Sequence, residues 1–195
     1  MSIRLIAFSR LVIVFGLAVW LTIAVINNLT DPGTNRTLLS HTLSMGLVST
    51  EEVLGAGLLW RAWPAHWSHA LLYFIVALQF IFAVFLWRAS VSYVKAFMKQ
   101  DIRLLLAAQR HATFALSLFN SLWMFFICGG LWFGYWLKQA PVQTVHMTLI
   151  LIGVGTLIFV QTQPHPESFT PVNAKNSDQP SPVGETSQVF PGRPK

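Results

Sequence analysis

Four long apolar stretches without Asp, Glu, Lys or Arg constrain this sequence more than any other feature. They are residues 11–26, 70–87, 112–136 and 145–160. A helix needs about 20 residues to cross a hydrocarbon layer roughly 30 Å thick, and each stretch reaches or approaches that length. A soluble helix of this length carries a charged face. The sequence therefore predicts an all-α fold, a four-helix transmembrane bundle in contact with bilayer lipid.

Composition supports one membrane domain followed by a tail. Hydrophobic residues form 54% of the chain and charged residues 10%, against about 25% charged residues in soluble domains. Residues 1–162 are predicted as the four-span membrane domain. Residues 163–195 are rich in Pro, Ser, Asn, Gln and Gly, with little to bury, so they are predicted as a disordered cytoplasmic tail. The net charge of +6 is not concentrated in a soluble module, so nucleic acid is not expected as a partner.

The distribution of basic residues predicts the orientation. Between the second and third spans, one acidic residue, Asp101, is outnumbered by five basic residues: Arg88, Lys95, Lys99, Arg103 and Arg110. Short connections rich in Lys and Arg stay on the cytoplasmic side. Because the number of spans is even, both termini are predicted to be cytoplasmic as well.

Tryptophans mark the predicted membrane boundaries. Five of them fall at the outer boundary: Trp60, Trp63, Trp67, Trp132 and Trp136. One, Trp87, falls at the inner boundary. This distribution is typical of an aromatic belt. Trp20 and Trp123 lie deeper in their spans and do not fit the belt. They are expected to pack between helices or to face lipid.

The outer connection, residues 28–68, is much longer than the roughly 2–8 residues that join neighbouring helices. Leucines at helical spacing predict a first short interfacial helix: Leu38, Leu39, Leu43 and Leu47. Ser49 and Glu52 match a capping box, which predicts a second short helix ending near Arg61. Together the two helices are expected to form a lid that either seals the bundle or covers a site.

Histidine and methionine residues near the outer boundary are the candidate metal ligands. His66 and His69 are three residues apart, His41 and Met45 are four apart, and His146 opens the fourth span. Imidazole and thioether ligands suit copper or haem iron. No recognised metal-ligand spacing is present, and interfacial histidines often pair with backbone or lipid headgroups. A structural role is therefore favoured and no cofactor is predicted, with haem or copper as the alternative.

Polar and small residues inside the spans predict helix packing. Gln79 and Asn120 are expected to hydrogen-bond between helices, and Gly130 with Gly134 forms a GxxxG pair for close packing within the chain or with a partner. A proton-coupled transporter usually needs ionisable side chains within the membrane. Because the four apolar stretches contain no Asp, Glu, Lys or Arg, this class of protein is disfavoured.

No catalytic motif is recognisable in the sequence. A nucleophile elbow, a P-loop and a zincin motif are all missing, so catalytic residues are not assigned and an enzyme is not the favoured class. The leading hypothesis is a non-enzymatic structural or accessory subunit that binds a membrane partner or forms a homo-oligomer. The alternative is a redox or metal-binding membrane protein, and permeation through the bundle is the third class.

Several short motifs resemble one known family. They are Asn28-Leu29-Thr30-Asp31, Thr34-Asn35, His41-Thr42-Leu43-Ser44-Met45 and Trp60-Arg61-Ala62, followed by Gly129-Gly130, Trp132-Phe133 and Trp136. This set resembles the domain of unknown function 2165 family of small bacterial integral membrane proteins, over about residues 5–160.

The resemblance implies a four-helix protein of the bacterial inner membrane without an established activity. Six positions match the family pattern with no role assigned: Asp31, Asn35, His41, Met45, Trp60 and Arg61. An ion pair between Asp31 and Arg61 across the lid is one structural explanation of that match. The chain departs from the pattern at Leu131 and Gln79, where the family commonly has glutamate.

Overall fold

The computed structural model describes residues 2–162, which form five α-helices and two short 3-10 turns. The helices are α1 (Ile3–Thr30), α2 (Pro32–Ser44), α3 (Trp67–Lys99), α4 (Ile102–Trp132) and α5 (Ala140–Gln161). The 3-10 turns are Ala56–Arg61 and Tyr135–Leu137. Helices α1, α3, α4 and α5 are long and apolar enough to cross a membrane. The predicted all-α, four-span architecture is confirmed; the predicted disordered tail, residues 163–195, lies outside the described part of the chain.

The spanning helices are longer than the uncharged stretches that reveal them. Helix α3 has 33 residues, about 50 Å at 1.5 Å per residue, against a hydrocarbon layer of roughly 30 Å. The extra turns of α3 and α4 carry basic residues and meet at a tight corner, where Gln100 has φ 51°. Asp101 then caps α4, because its Oδ1 accepts a bond from Arg103 N at 2.7 Å. The α3–α4 corner, the start of α1 and the end of α5 together are called the basic end.

Small residues fill the interface between α1, α3 and α4. Seven alanines are fully buried there, with no exposed surface: Ala7, Ala18, Ala89, Ala96, Ala108, Ala112 and Ala115. In lipid, helices associate mainly through close van der Waals contact, which small side chains permit. The three helices therefore form a tightly packed core, and α5 packs mainly against α4.

The third span ends earlier than the sequence pattern suggests. Helix α4 stops at Trp132, because Gly134 adopts φ +66° and leads into the turn Tyr135–Leu137. Gly130 lies in the last turn of α4, where a Cβ atom would come within 2.5 Å of the Tyr135 ring. The expectation of one GxxxG helix face needs correction, since Gly130 accommodates Tyr135 and Gly134 lies beyond the helix.

The predicted first lid helix is confirmed as α2, and it follows α1 without a loop. Asp31 ends α1 and caps α2: its Oδ1 accepts from Thr34 N at 3.4 Å and its Oδ2 from Thr34 Oγ1 at 2.6 Å. These bonds to Thr34 hold the pKa of the Asp31 carboxyl below its usual 3.8. Pro32 at the first helical position suits this start, because its missing N–H has no intrahelical partner there.

The predicted second lid helix needs correction. Residues 46–55 form turns and bends, and only the 3-10 turn Ala56–Arg61 is helical. Ser49 donates its hydroxyl to Gly46 O at 3.0 Å, and the capping box with Glu52 does not form. Gly55 has φ +81°, and a Cβ there would lie 2.6 Å from both Val48 and Leu137. Because Gly55 has this positive φ, a helix that began at Ser49 could not continue through it.

A small apolar core attaches the lid to the bundle. Leu43, Met45, Val48 and Phe133 are buried together, next to the core of the spanning helices. The backbone N–H of Trp63 donates to Leu43 O at 2.8 Å, which joins the last residue of the segment 45–63 to the end of α2. We call α2 together with residues 45–63 the lid, and this side of the bundle the lid end.

Three further bonds connect the lid to the α4–α5 connection. Thr42 donates its hydroxyl to Gln139 Oε1 at 2.8 Å, and Gln139 Nε2 donates to Leu38 O at 3.2 Å. Lys138 forms an ion pair with Glu51. The lid is therefore held in a defined position over the end of the bundle.

Candidate functional site

A cavity of 520 Å³ lies under α2 at the lid end. Side chains from α1, α2, α3, α4 and α5 line it, together with Tyr135 and Gln139 of the α4–α5 connection. Its size falls within the range of roughly 300–1,000 Å³ that is typical of small-molecule sites. The surface is mainly apolar, and these described lining residues include no Asp, Glu, Lys or Arg.

The first and last helices of the bundle flank this cavity. At the basic end, α1 and the end of α5 are joined, because Arg10 Nη2 donates to Thr162 O at 2.5 Å. At the lid end, Ala24 of α1 and Val142 and Val145 of α5 line the cavity instead. The cavity therefore lies where α1 and α5 are no longer held together.

A chain of amide hydrogen bonds forms one polar part of the lining. Asn35 of α2 donates from Nδ2 to Asn28 Oδ1 at 2.5 Å, and Asn28 of α1 donates from Nδ2 to Gln79 Oε1 at 2.9 Å. Asn28 and Gln79 are buried. The lid helix is thus connected through α1 to α3, and Gln79 takes the place where the resemblance implies a glutamate.

An aromatic cluster forms the second polar part of the lining. The His146 ring lies 5.0 Å from the Phe126 ring, 5.7 Å from Trp123 and 6.0 Å from Tyr135, measured between centroids. Helices α4 and α5 and the turn between them each contribute to this cluster. Trp20 of α1 extends it, with its centroid 5.4 Å from that of Trp123.

Three polar atoms of this cluster are buried without a hydrogen-bond partner among the described residues. They are Trp123 Nε1, Tyr135 Oη and His146 Nδ1, half of the six such atoms in residues 2–162. Each unpaired buried group costs about 1–3 kcal/mol, so native proteins keep few of them without a reason. Burial also raises the pKa of the Tyr135 hydroxyl.

The candidate metal ligands lie in different surroundings. His146 lines the cavity, whereas Met45 is 1% exposed inside the lid core and His41 is half-buried on α2. His66 and His69 are exposed at the start of α3, next to the rings of Trp67 and Tyr73. Within residues 2–162, no three His, Cys, Asp or Glu side chains gather in a way that could hold a metal ion. A shared site for copper or haem stays a prediction.

The positions that match the family pattern have structural contacts. Asp31 caps α2, and Asn35 belongs to the amide chain. The Arg61 guanidinium lies over the rings of Trp132 and Trp60, at 4.7 and 5.2 Å, and donates to Trp132 O at 3.3 Å. An ion pair between Asp31 and Arg61 does not form, which corrects that expectation; in the described residues the ion pair is Glu51–Lys138.

Within the described residues, Asn120 does not form the expected hydrogen bond between helices. Its Nδ2 donates to Leu116 O at 2.9 Å, within α4 itself. Its side chain instead packs closely against Gly153 of α5, where a Cβ atom would collide with it. Asn120 therefore brings α4 and α5 together through close approach, and the missing Cβ of Gly153 makes that approach possible.

Arg10 is a site that sequence reasoning missed, since it counts only as a basic residue before the first span. It is 3% exposed, with Nη1 donating to Gln109 Oε1 at 3.4 Å and Nη2 to Thr162 O. The carbonyl end of α5 carries partial negative charge that suits a guanidinium. The available signal was its spacing of four and seven residues from Val14 and Leu17, which places Arg10 on the buried face of α1.

Comparison with known proteins identifies a family. No curated protein and no solved structure matches the chain. The family model described as a predicted small integral membrane protein, DUF2165, matches residues 6–163. That range includes almost all of α1 to α5, together with the lid and the cavity lining. The chain therefore belongs to the DUF2165 family of predicted small integral membrane proteins.

Proposed function

We propose that this protein is a non-enzymatic accessory membrane protein whose lid cavity binds a small molecule. The observation that carries the proposal is a cavity of 520 Å³ whose lining includes Trp123, Tyr135 and His146, each with a buried polar atom that has no partner among the described residues. The lining is mainly apolar, and the sequence contains no recognisable nucleophile elbow, P-loop or zincin motif. These two features favour binding over catalysis.

The test of the cavity is recovery of its ligand. We expect the protein, purified in mild detergent, to retain one small molecule that mass spectrometry detects above the bulk lipid background. Ala24→Phe fills the cavity from α1 and should abolish retention. Ala77→Phe adds the same group at an exposed position of α3 outside the lining and should leave retention intact. Equal small-molecule content in all three proteins would contradict the proposal.

The proposed orientation places the lid on the outer side of the bacterial inner membrane, with both ends of the chain in the cytoplasm. Its support is the concentration of basic residues at the α3–α4 corner. In a Cys128→Ala background, a membrane-impermeant maleimide should label Leu47→Cys in intact cells. Lys95→Cys should react only after permeabilisation. The reverse pattern would overturn the orientation.

The accessory role includes a membrane partner or a second copy of the chain. Its support is the ordered lid, which Thr42, Gln139 and the Glu51–Lys138 ion pair hold at one end of the bundle. Chemical crosslinking in native membranes, followed by purification in mild detergent, should capture a stable membrane partner or a homo-oligomer. A monodisperse, correctly folded monomer from crosslinked membranes would contradict this part of the proposal.

Haem or copper binding through the outer His and Met residues is the alternative function. Its support is His146, whose unpaired Nδ1 belongs to the cavity lining. Protein purified without chelators should then show a haem or copper absorption band and a metal content that falls in His146→Phe. A colourless, metal-free preparation would end this alternative.

A further inference from the structure

We propose that the ligand of the lid cavity is an uncharged amphiphile with a carbonyl-bearing head, such as a quinone or an acylglycerol. This inference depends on the proposed binding function and adds the chemical class of the ligand. It follows from the charge of the lining, from the hydrogen-bonding needs of its unpaired atoms and from the exposure of its apolar walls.

The lining disfavours a charged ligand. A charged group in a low-dielectric site needs an opposite charge or several directed hydrogen bonds. None of the described residues that line the cavity is Asp, Glu, Lys or Arg, and the amides of Asn28 and Gln79 already bond each other. An ionic headgroup would lose its hydration here without compensation, whereas an uncharged one would not.

The unpaired atoms specify acceptors on the ligand. The indole Nε1–H of Trp123 can only donate a hydrogen bond. The phenol O–H of Tyr135 can donate as well. Trp123 and Tyr135 are both 4% exposed, and each ring belongs to the cluster around His146. A head with carbonyl oxygens satisfies both donors, and His146 Nδ1 can donate or accept according to its tautomer.

The apolar walls indicate that the ligand arrives from the bilayer. Three lining side chains are exposed in part: Trp20 at 36%, Phe125 at 46% and Val145 at 53%. They belong to α1, α4 and α5, which are among the spanning helices. The lid covers the cavity from the other direction and is fastened by Thr42 and Gln139. A hydrocarbon chain can therefore extend from the cavity into lipid, while the head stays near the aromatic cluster.

The experiment compares four heads on one ten-carbon chain. The protein in phosphatidylcholine nanodiscs is titrated with a decyl benzoquinone, monodecanoylglycerol, decanesulfonate and decyltrimethylammonium, and binding is followed by calorimetry. We expect saturable one-to-one binding of at least one carbonyl probe, at least about tenfold tighter than either ion. The first two probes distinguish a quinone from a glyceride. Equal or tighter binding of an ionic probe would overturn the proposed class.

Two variants remove the donors and keep an aromatic ring at each position. Trp123→Phe and Tyr135→Phe should each weaken binding of the carbonyl probe roughly two- to tenfold, the effect of one lost hydrogen bond. The unfolding temperature without probe should stay the same or rise in Tyr135→Phe, which deletes only a buried unpaired hydroxyl. It should fall in Trp123→Phe, because the smaller ring leaves a gap beside Trp20, Phe119 and Phe126. Trp136→Phe and Tyr73→Phe are controls at exposed positions outside the lining. Unchanged affinity in both donor variants would contradict the assigned contacts.

The outcomes separate this inference from the proposed function. If mass spectrometry finds a molecule that is lost in Ala24→Phe but is ionic or lacks an acceptor, the cavity is a binding site and the proposed class is wrong. If no molecule is retained and no probe binds, both proposals fall. Binding of the carbonyl probes that survives in Ala24→Phe would place them outside the cavity and contradict the inference alone.

Discussion

The basic end and the lid end of this bundle are packed in opposite ways, although the same four spanning helices form both. Toward the basic end, α1, α3 and α4 meet through fully buried alanines such as Ala89, Ala108 and Ala112. Toward the lid end, α1 and α5 flank a cavity of 520 Å³ lined by amides and aromatic rings. A protein interior is normally close-packed. The lid end is therefore the region that departs from close packing, and we expect the functional site there.

The polar groups of the two ends also differ: the Arg10 guanidinium at the basic end is hydrogen-bonded, whereas several polar groups at the lid end are unpaired among the described residues. At the basic end, the Arg10 guanidinium donates to Gln109 and to the last carbonyl of α5, and so ties the first helix to the last. At the lid end, Trp123 and Tyr135 keep donors that no described residue accepts. Polar groups that bond each other stabilise a fold, whereas buried unpaired donors cost free energy that a bound acceptor would recover. We therefore propose a scaffold role for the basic end and a binding role for the lid end.

The largest expected effect comes from adding the same volume at both ends. Ala112→Phe inserts a ring where Ala112 has no exposed surface, and overpacking of this kind costs about 1–3 kcal/mol or more. Ala24→Phe inserts the ring into the cavity and should change stability by less than about 1 kcal/mol. Reversible unfolding in mixed micelles measures both free energies. Equal destabilisation of the two variants would remove the contrast between the ends.

The amide chain of the lid end should have a smaller, measurable effect. Asn28→Leu keeps the side-chain size but removes the bonds to Asn35 and Gln79, and should destabilise the protein by about 1–2 kcal/mol. A double-mutant cycle with Gln79→Leu should give a coupling energy of roughly 0.6–1.7 kcal/mol. Asn27→Leu, an exposed neighbour, is the control. A coupling energy near zero would show that these amides do not connect the helices.

The architecture was predictable because it depends on local sequence patterns, namely uncharged runs and the spacing of apolar residues. Uncharged runs specify the four spans, and the leucine spacing from Leu38 onward specifies α2. The helix ends were not predictable in the same way. Charged turns such as those around Lys95 extend a helix beyond the hydrocarbon layer, and the backbone angle of Gly134 ends α4 at Trp132. These features depend on local conformation that hydropathy does not report.

The candidate site was less predictable, because tertiary packing creates it. His146 was a candidate from its place at the start of a span, but its neighbours Trp123 and Tyr135 come from α4 and from the turn at Gly134. Their assembly requires that turn, which the sequence reading placed inside a span. One signal was present: Trp123 did not fit the aromatic belt, and in the structure it is 4% exposed in the cavity wall.

The lid ion pair should contribute little to stability and more to the mobility of the lid. The side chains of Glu51 and Lys138 are about one-third exposed, and such pairs are worth roughly 0–1 kcal/mol. Glu51→Gln should therefore leave global unfolding almost unchanged but speed amide exchange in residues 45–55. High salt should reduce the difference from the parent protein. Glu52→Gln changes an exposed neighbour outside the described ion pair and should have no effect; an equal effect would contradict a specific contact.

The smallest expected effect is the pH dependence of the junction between α1 and α2. Hydrogen bonds from Thr34 lower the pKa of Asp31 below 3.8, so the ionised carboxylate is the form that the folded junction favours. The stabilisation is therefore fully present above pH 3.8 and is lost as the pH falls through the lower folded pKa. Amide exchange at Thr34, corrected for its intrinsic pH dependence, should accelerate across that window. Asp31→Asn keeps a capping oxygen without a titrating proton and should show no such step. A step of the same size in the variant would mean that another group controls the start of the lid, and the lid end would then owe its position to its apolar core and to Gln139 rather than to this cap.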